Sequence, residues 1–272
     1  MGPAWWAREA PDRLAIIAPT GNRTYGELDA RANQLVRVFR AAGLRTGDGV
    51  ALLCSNRAEF ADVWAACQRG GFRLTTVNWH LTGDEAAYIV TDCDAKAFVA
   101  EAAMADVARA AAGDHTGPDL RLSVGGEIDG FTPLDDVIAG TDDASIPDPC
   151  LGTAMLYTSG TTGRPKGVDR PADPDALVSG LLPYGYDGTH HAHLCTGPLY
   201  HAAPFAISLT LPLTAGVPLV LMETWDAEEC LRLVDEHRVS HTHVVPTMFH
   251  RMLALPDDVR RRYDLSSLLA VV

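Results

Sequence analysis

Helix and strand signals alternate from one end of this chain to the other. That alternation limits it to folds in which mainly parallel sheets are covered by helices. Thr24 followed by Glu27 is a capping box, and Leu28, Ala32, Leu35 and Phe39 then recur on one helical face until Gly43. Thr46-Gly-Asp-Gly49 is a turn, and residues 50–53 form a short apolar run of the buried-strand type. Residues 57–69 read as the next helix, stopped by Gly70-Gly71. Thr82 with Glu85 repeats the capping box, and 96–100 reads as a strand. Residues 154–157, 192–196, 218–222 and 241–245 extend the strand series, with an amphipathic helix at 226–238 before the last of them.

A length of 272 residues fits one large α/β domain or two ordinary ones. Apolar residues make up 47% and charged residues 21%, a globular composition that excludes disorder. With 22 Lys plus Arg against 35 Asp plus Glu, the net charge of −13 argues against nucleic acid or anionic membrane as a partner. The six cysteines are widely spread, lack any CxxC and mostly sit in apolar runs, so they read as reduced core residues.

Trp5-Trp6 is followed by Arg8 and Glu9 without an apolar stretch, so no secretory signal is read. Residues 202–222 are uncharged and long enough to span a bilayer. Pro204, Pro212, Gly216 and Pro218 instead make them a helix–turn–strand, and the chain reads as soluble and cytoplasmic. The clearest change in composition is at 141–149, acidic with Pro147 and Pro149: a linker, or a surface loop between two halves of one domain. Residues 169–175, with two prolines and three aspartates, read as an exposed loop.

The most informative segment is Met155-Leu-Tyr-Thr-Ser-Gly-Thr-Thr-Gly-Arg-Pro-Lys-Gly-Val168. An apolar strand runs into a loop of small hydroxyl and glycine residues, then a lysine. Gly160 and Gly163 allow backbone amides to turn towards an anion, Thr158, Ser159, Thr161 and Thr162 add hydroxyl donors, and Lys166 adds a charge. Pro165 restricts the backbone just before that lysine. Such a donor set suits phosphate. It is not a Walker A loop, because Lys166 lies between Pro165 and Gly167 rather than in Gly-Lys-Ser/Thr.

The string from Tyr157 to Val168 resembles the phosphate-binding signature of the adenylate-forming enzymes: acyl-CoA synthetases, luciferases and peptide-synthetase adenylation domains. Tyr25-Gly-Glu-Leu28, Asn78-Trp-His-Leu-Thr82, Pro198-Leu-Tyr-His201, Val245-Pro-Thr-Met248 and Asp264-Leu-Ser-Ser267 resemble further motifs of that family in the same order. The resemblance implies stacked, helix-covered, mainly parallel sheets of the family's N-terminal domain, truncated. Residues 1–150 would form a first α/β subdomain and 151–272 a second, carrying the phosphate loop and incomplete at its C-terminus.

It also implies a two-step reaction, in which a carboxylate attacks the α-phosphate of ATP to release pyrophosphate and coenzyme A sulfur then displaces AMP. By the same resemblance, Thr158, Ser159, Gly160, Thr161, Thr162, Gly163 and Lys166 handle the phosphates, and Thr158 ligates Mg2+. Lys166 and His201 are its catalytic candidates, with His201 beside the reacting carboxylate. Phe205, Val245, Pro246, Thr247 and Met248 line the acyl side.

His190, His191, His193, His201, His241, His243 and His250 invite a metal, but no helical His-x-x-x-His or CxxC completes a zinc set, so all but His201 read as packed or surface imidazoles. Ala202 and Ala203 follow His201 where amino-acid-activating relatives carry an Asp, which favours a neutral acyl chain, fatty, branched or a sterol side chain, with an aryl acid as the near alternative. One departure is Val168-Asp-Arg-Pro in place of the family's Val-x-x-x-His, and Asp169 is expected to weaken the positive potential near Lys166.

The family's Tyr-Gly-x-Thr-Glu, hinge and late lysine are absent, the nearest match to its ribose-binding Thr-Gly-Asp, Thr46-Gly-Asp48, lies far too early and reads as a turn, and the chain stops in what reads as a buried strand at 268–272. The expectation is an N-terminal portion of an acyl-CoA synthetase, inactive alone and completed by a C-terminal polypeptide. The rival is a non-catalytic nucleotide- or acyl-binding fragment or split-gene subunit.

Overall fold

The computed structural model describes residues 2–113, 117–158, 164–170, 184–187 and 190–272. Among them the strands begin with β1 (Leu14–Ile17), β2 (Arg23–Thr24), β3 (Gly49–Leu53), β4 (Arg73–Thr76), β5 (Ala95–Glu101), β6 (Leu120–Val124) and β7 (Thr132–Pro133). They continue as β8 (Thr153–Thr158), β9 (Lys166–Arg170), β10 (His193–Cys195), β11 (Leu219–Leu221), β12 (His241–His243) and β13 (Ala270–Val271). Helices α1 (Pro3–Glu9), α2 (Tyr25–Ala41), α3 (Ala58–Gly70), α4 (Gly83–Asp92), α5 (Ala105–Ala112) and α6 (Leu134–Ile138) interleave with the first strands. The architecture is the mixed α/β one, with two largely parallel sheets.

The compact units interleave along the chain. One comprises Met1–Glu27, Asn56–Ala58 and Asp173–Val272, the other Leu28–Ser55 and Glu59–Ala172. Strands on either side of residue 150 therefore share a sheet, because β8 pairs in parallel with β4 (Thr75 opposite Met155).

The second unit holds the seven-stranded sheet β7-β6-β5-β3-β4-β8-β9, parallel except for the β8–β9 hairpin. Central β3 is buried at every residue, as its unbroken apolar sequence requires of a strand covered on both faces. On one side α4 and α5 bury Ala86, Ile89, Val90, Ala108 and Ala111 in a core with Leu53 and Phe98. At the start of α4 the Glu85 carboxylate accepts from the Thr82 backbone N–H (2.8 Å) and hydroxyl (2.9 Å), as the capping box predicts. The acidic 141–149 segment belongs to this unit as a surface loop: Ile146 is buried, and Arg37 and Arg40 pair with Asp142 and Asp148.

The first unit holds the six-stranded sheet β13-β12-β10-β11-β1-β2. Its core joins Leu194, Val220 and Met222 to Cys230, Leu233 and Val234 of the helix Ala227–Glu236, whose N-cap Asp226 accepts from the Glu229 N–H (2.9 Å). The uncharged stretch from 202 is a π-helical turn Pro204–Thr210, a short helix Leu211–Ala215, left-handed Gly216 (φ 81°) and β11. Gly216 has a second reason to lack a side chain, since a Cβ there would lie 2.2 Å from the Trp6 ring. No helix among the described residues is long and apolar enough to cross a membrane.

Three expectations change. Cys150 is exposed, although the other five cysteines are buried as expected. Asp169 and Arg170 lie in β9 rather than in a loop, held there by full antiparallel register with β8; residues 171–175 lie outside the described residues. β13 is an edge strand whose neighbours Leu269 and Val272 are exposed, because only β12 pairs with it among the described strands.

Candidate functional site

The candidate residues fall in both units. In the second, β8 delivers Thr158 to the mouth of a hairpin and β9 returns from it at Lys166. The register runs without a slip from Ala154 opposite Arg170 to Thr158 opposite Lys166. The hydroxyl and the ammonium are thus directly opposed cross-strand partners, both exposed, with Cβ atoms about 4.5–5.5 Å apart in such pairs. Ser159, Gly160, Thr161, Thr162 and Gly163 lie outside the described residues.

The register also explains Gly167. A Cβ there would sit 2.1 Å from the Met155 methyl and 3.1 Å from the Tyr157 ring, so the glycine lets the ring of β8 lie over β9. Asp169 is three residues along β9 from Lys166, and alternation puts the two on opposite faces. The expected weakening of the lysine's potential is thereby relieved.

In the first unit, β10 and β12 are adjacent parallel strands, with Cys195 opposite His243. Pro198-Leu-Tyr-His201 follows the carboxyl end of β10, and Val245-Pro-Thr-Met248 follows that of β12. The carboxyl ends of parallel strands are where open α/β sheets bind ligands. Val245 caps the helix Pro246–Leu253 and is exposed along with Pro246 and Thr247, and Met248 is half-buried. The Thr196 hydroxyl donates to the His243 carbonyl and ties the two strand ends together.

His201 is exposed, and its ring meets Tyr200 at 4.4 Å. Its backbone donates to the Pro198 carbonyl (3.0 Å) and accepts from the Phe205 N–H (2.9 Å), which starts the π-helical turn. Phe205 is buried in that turn, and the Thr210 hydroxyl donates to its carbonyl (3.0 Å).

Asn56, which sequence reasoning missed, braces the loop that carries His201. Its buried amide donates to the carbonyls of Gly197 (2.9 Å) and Met222 (3.0 Å), and its oxygen accepts from the Leu199 N–H (2.9 Å). No sequence signal marks it.

The other candidate histidines are packed or lie on the surface. His193 is fully buried between the Tyr186 hydroxyl at Nδ1 (2.8 Å) and the Ser208 hydroxyl at Nε2 (2.9 Å). Burial, together with His241 and His243 nearby, pulls its pKa down to about 3. His241 donates from Nε2 to the Tyr184 carbonyl (2.7 Å) and faces the Ser240 hydroxyl at Nδ1 (2.7 Å), with its pKa lowered by burial. His243 is lowered by burial too. His190 and His191 lie against Asp187, and His250 is exposed on the helix Pro246–Leu253.

Two largely parallel sheets flanked by helices, with candidate residues at the carboxyl ends of their strands, place the chain among α/β proteins that bind ligands at such ends. The chain belongs to the AMP-binding enzyme family, whose model matches residues 3–272. It is 30% identical to a 2-succinylbenzoate–CoA ligase of Bacillus licheniformis over 94% of this chain and 52% of that protein. It is also 30% identical to a medium/long-chain-fatty-acid–CoA ligase of Mycobacterium tuberculosis over 91% of this chain and 45% of that protein. Among solved structures it superposes on the o-succinylbenzoate CoA synthetase of Bacillus subtilis in complex with its acyl-adenylate intermediate. The TM-score is 0.78 at 22% identity, covering 99% of this chain and 52% of that one. The chain thus spans about half the length of the curated relatives it matches.

Proposed function

We propose that this chain supplies the phosphate-binding and acyl-side elements of an AMP-forming acid–CoA ligase, completed by a C-terminal polypeptide. The observation that carries the reading is the opposed pair Thr158 and Lys166 at the mouth of the β8–β9 hairpin, in a chain that belongs to the AMP-binding family. In this reading Lys166, with the donors of 159–163, holds the β- and γ-phosphates of ATP and the departing pyrophosphate. His201 orients the carboxylate that attacks the α-phosphate, and coenzyme A sulfur displaces AMP in the second step. The cytoplasm is the proposed location.

Mg2+ would neutralise phosphate charge there, and a threonine oxygen suits so hard a cation. Among the described residues no group of three His, Cys, Asp or Glu could hold a metal ion. Thr158 would share the ion with phosphate oxygens and water, as magnesium is commonly held.

The acid is proposed to be apolar, fatty or branched. Phe205 is buried, Ala202 and Ala203 bring no carboxylate, and an ammonium beside them would lack a counter-charge. An aryl acid is the second reading, favoured by the similarity to a 2-succinylbenzoate–CoA ligase. Combining the chain with a C-terminal polypeptide bearing the missing motifs, ATP, coenzyme A and a panel of acids tests both. Thioesters of fatty or branched acids are expected; thioesters of aryl acids alone would replace the first reading with the second.

A further inference from the structure

The two residues that flank Lys166 are both held from α4. The Tyr88 hydroxyl donates to the carbonyl of Pro165 (3.3 Å), and the Arg164 guanidinium lies 5.0 Å above the Tyr88 ring. On the other side of the lysine, the Tyr157 ring covers Gly167, and the Tyr157 hydroxyl donates to Asp92 at 2.6 Å. Burial and the adjoining Asp92 carboxylate both raise the Tyr157 pKa, which keeps the phenol protonated as a donor. Tyr88 and Asp92 are four residues apart, hence on one face of α4. The capping box of Thr82 and Glu85 fixes that helix at its start, and Ile89 and Val90 fix it to the core.

We propose that Tyr88 and Asp92 are positioning residues for Lys166: by clamping Pro165 directly and Gly167 through Tyr157, α4 sets where the ammonium points. This rests on the phosphate-binding reading of Lys166 for its purpose, although the clamp itself can be measured without nucleotide. A lysine on a free hairpin would sample many directions. One whose preceding carbonyl and following residue are both pinned keeps only its side-chain freedom, so less is lost when it meets a phosphate.

The test pairs two measurements on the chain as it stands. Hydrogen exchange of the Lys166, Gly167 and Val168 amides reads the clamp alone. Tyr88→Phe with Asp92→Leu should speed exchange there by about tenfold or more, the size of change that loss of one or two hydrogen bonds produces. Asp92→Asn, which keeps an acceptor for Tyr157, should restore exchange towards the parent rate. Unchanged exchange in the double variant would overturn the proposal. Tyr88→Phe alone loses a single hydroxyl, so it remains informative if the double variant folds poorly.

Calorimetry with ATP then reads the purpose, in a cycle with Lys166→Ala. If α4 aims the lysine, the clamp variants weaken binding about 3- to 10-fold and the penalty of Lys166→Ala shrinks by a similar factor. Strictly additive effects would overturn the positioning role, because a merely structural loss does not couple to the ammonium. Faster exchange with the same ATP affinity in every variant, Lys166→Ala included, would uphold the clamp and reject the phosphate reading.

Discussion

Lys166 and His193 lie at opposite extremes of burial, one exposed at the start of a strand and the other fully enclosed. A hydrogen bond to a charged group is worth about 1.5–3 kcal/mol, so Lys166→Ala should weaken ATP binding about 10- to 100-fold. Because Lys166 is exposed at the start of a strand, the same substitution should leave the thermal unfolding midpoint nearly unchanged, and calorimetry alongside a melt checks both. His193 is neutral when folded, with a pKa near 3, against about 6.5 when unfolded. The unfolded state therefore binds more protons between these values, and the stability that His193 contributes is complete above about pH 6.5 and lost as pH falls towards 3. His241 and His243 shift in the same direction. Urea unfolding of His193→Gln should show a flatter dependence on pH over that window; a slope as steep as the parent's would count against the buried neutral imidazole.

At the scale of elements, what could be read from sequence was local. Both capping boxes and the helix face of Leu28, Ala32, Leu35 and Phe39 are where the sequence puts them, since their partners lie within one or two turns. Strands β4 and β6 were not anticipated: Arg73-Leu-Thr-Thr and Leu120-Arg-Leu-Ser-Val have no long apolar run, and neighbouring strands make them strands. Asn56 was illegible for a related reason, because its partner Gly197 is 141 residues away. Asn56→Ala would orphan buried groups at about 1–3 kcal/mol each, so a loss of at least about 2 kcal/mol in urea unfolding is expected.

Gly152, just before β8, and Gly167, in β9, are crowded in different ways. A Cβ at Gly152 would lie 2.2 Å from the Cys67 carbonyl oxygen and 2.6 Å from that of Phe72, whereas at Gly167 the closest atom is the end of a methionine. Gly152→Ala should therefore cost about 3 kcal/mol or more and Gly167→Ala clearly less, because backbone moves less readily than Met155. Equal losses in denaturation would show that β8 is not seated as described.

For the whole molecule, the motif order made the family legible from end to end, and the match over residues 3–272 agrees. How the chain divides into compact units was less legible, because pieces from both ends of the sequence join one sheet. The substrate was least legible, since relatives of similar identity bear the names of an aryl-acid and a fatty-acid ligase. Exchange of radiolabelled pyrophosphate into ATP tests most directly whether this chain handles the phosphates of ATP through Lys166. With an apolar acid and a C-terminal polypeptide supplying the missing motifs, the chain should support exchange, and Lys166→Ala should slow it about 10- to 100-fold. Exchange at the parent rate in Lys166→Ala would contradict the account.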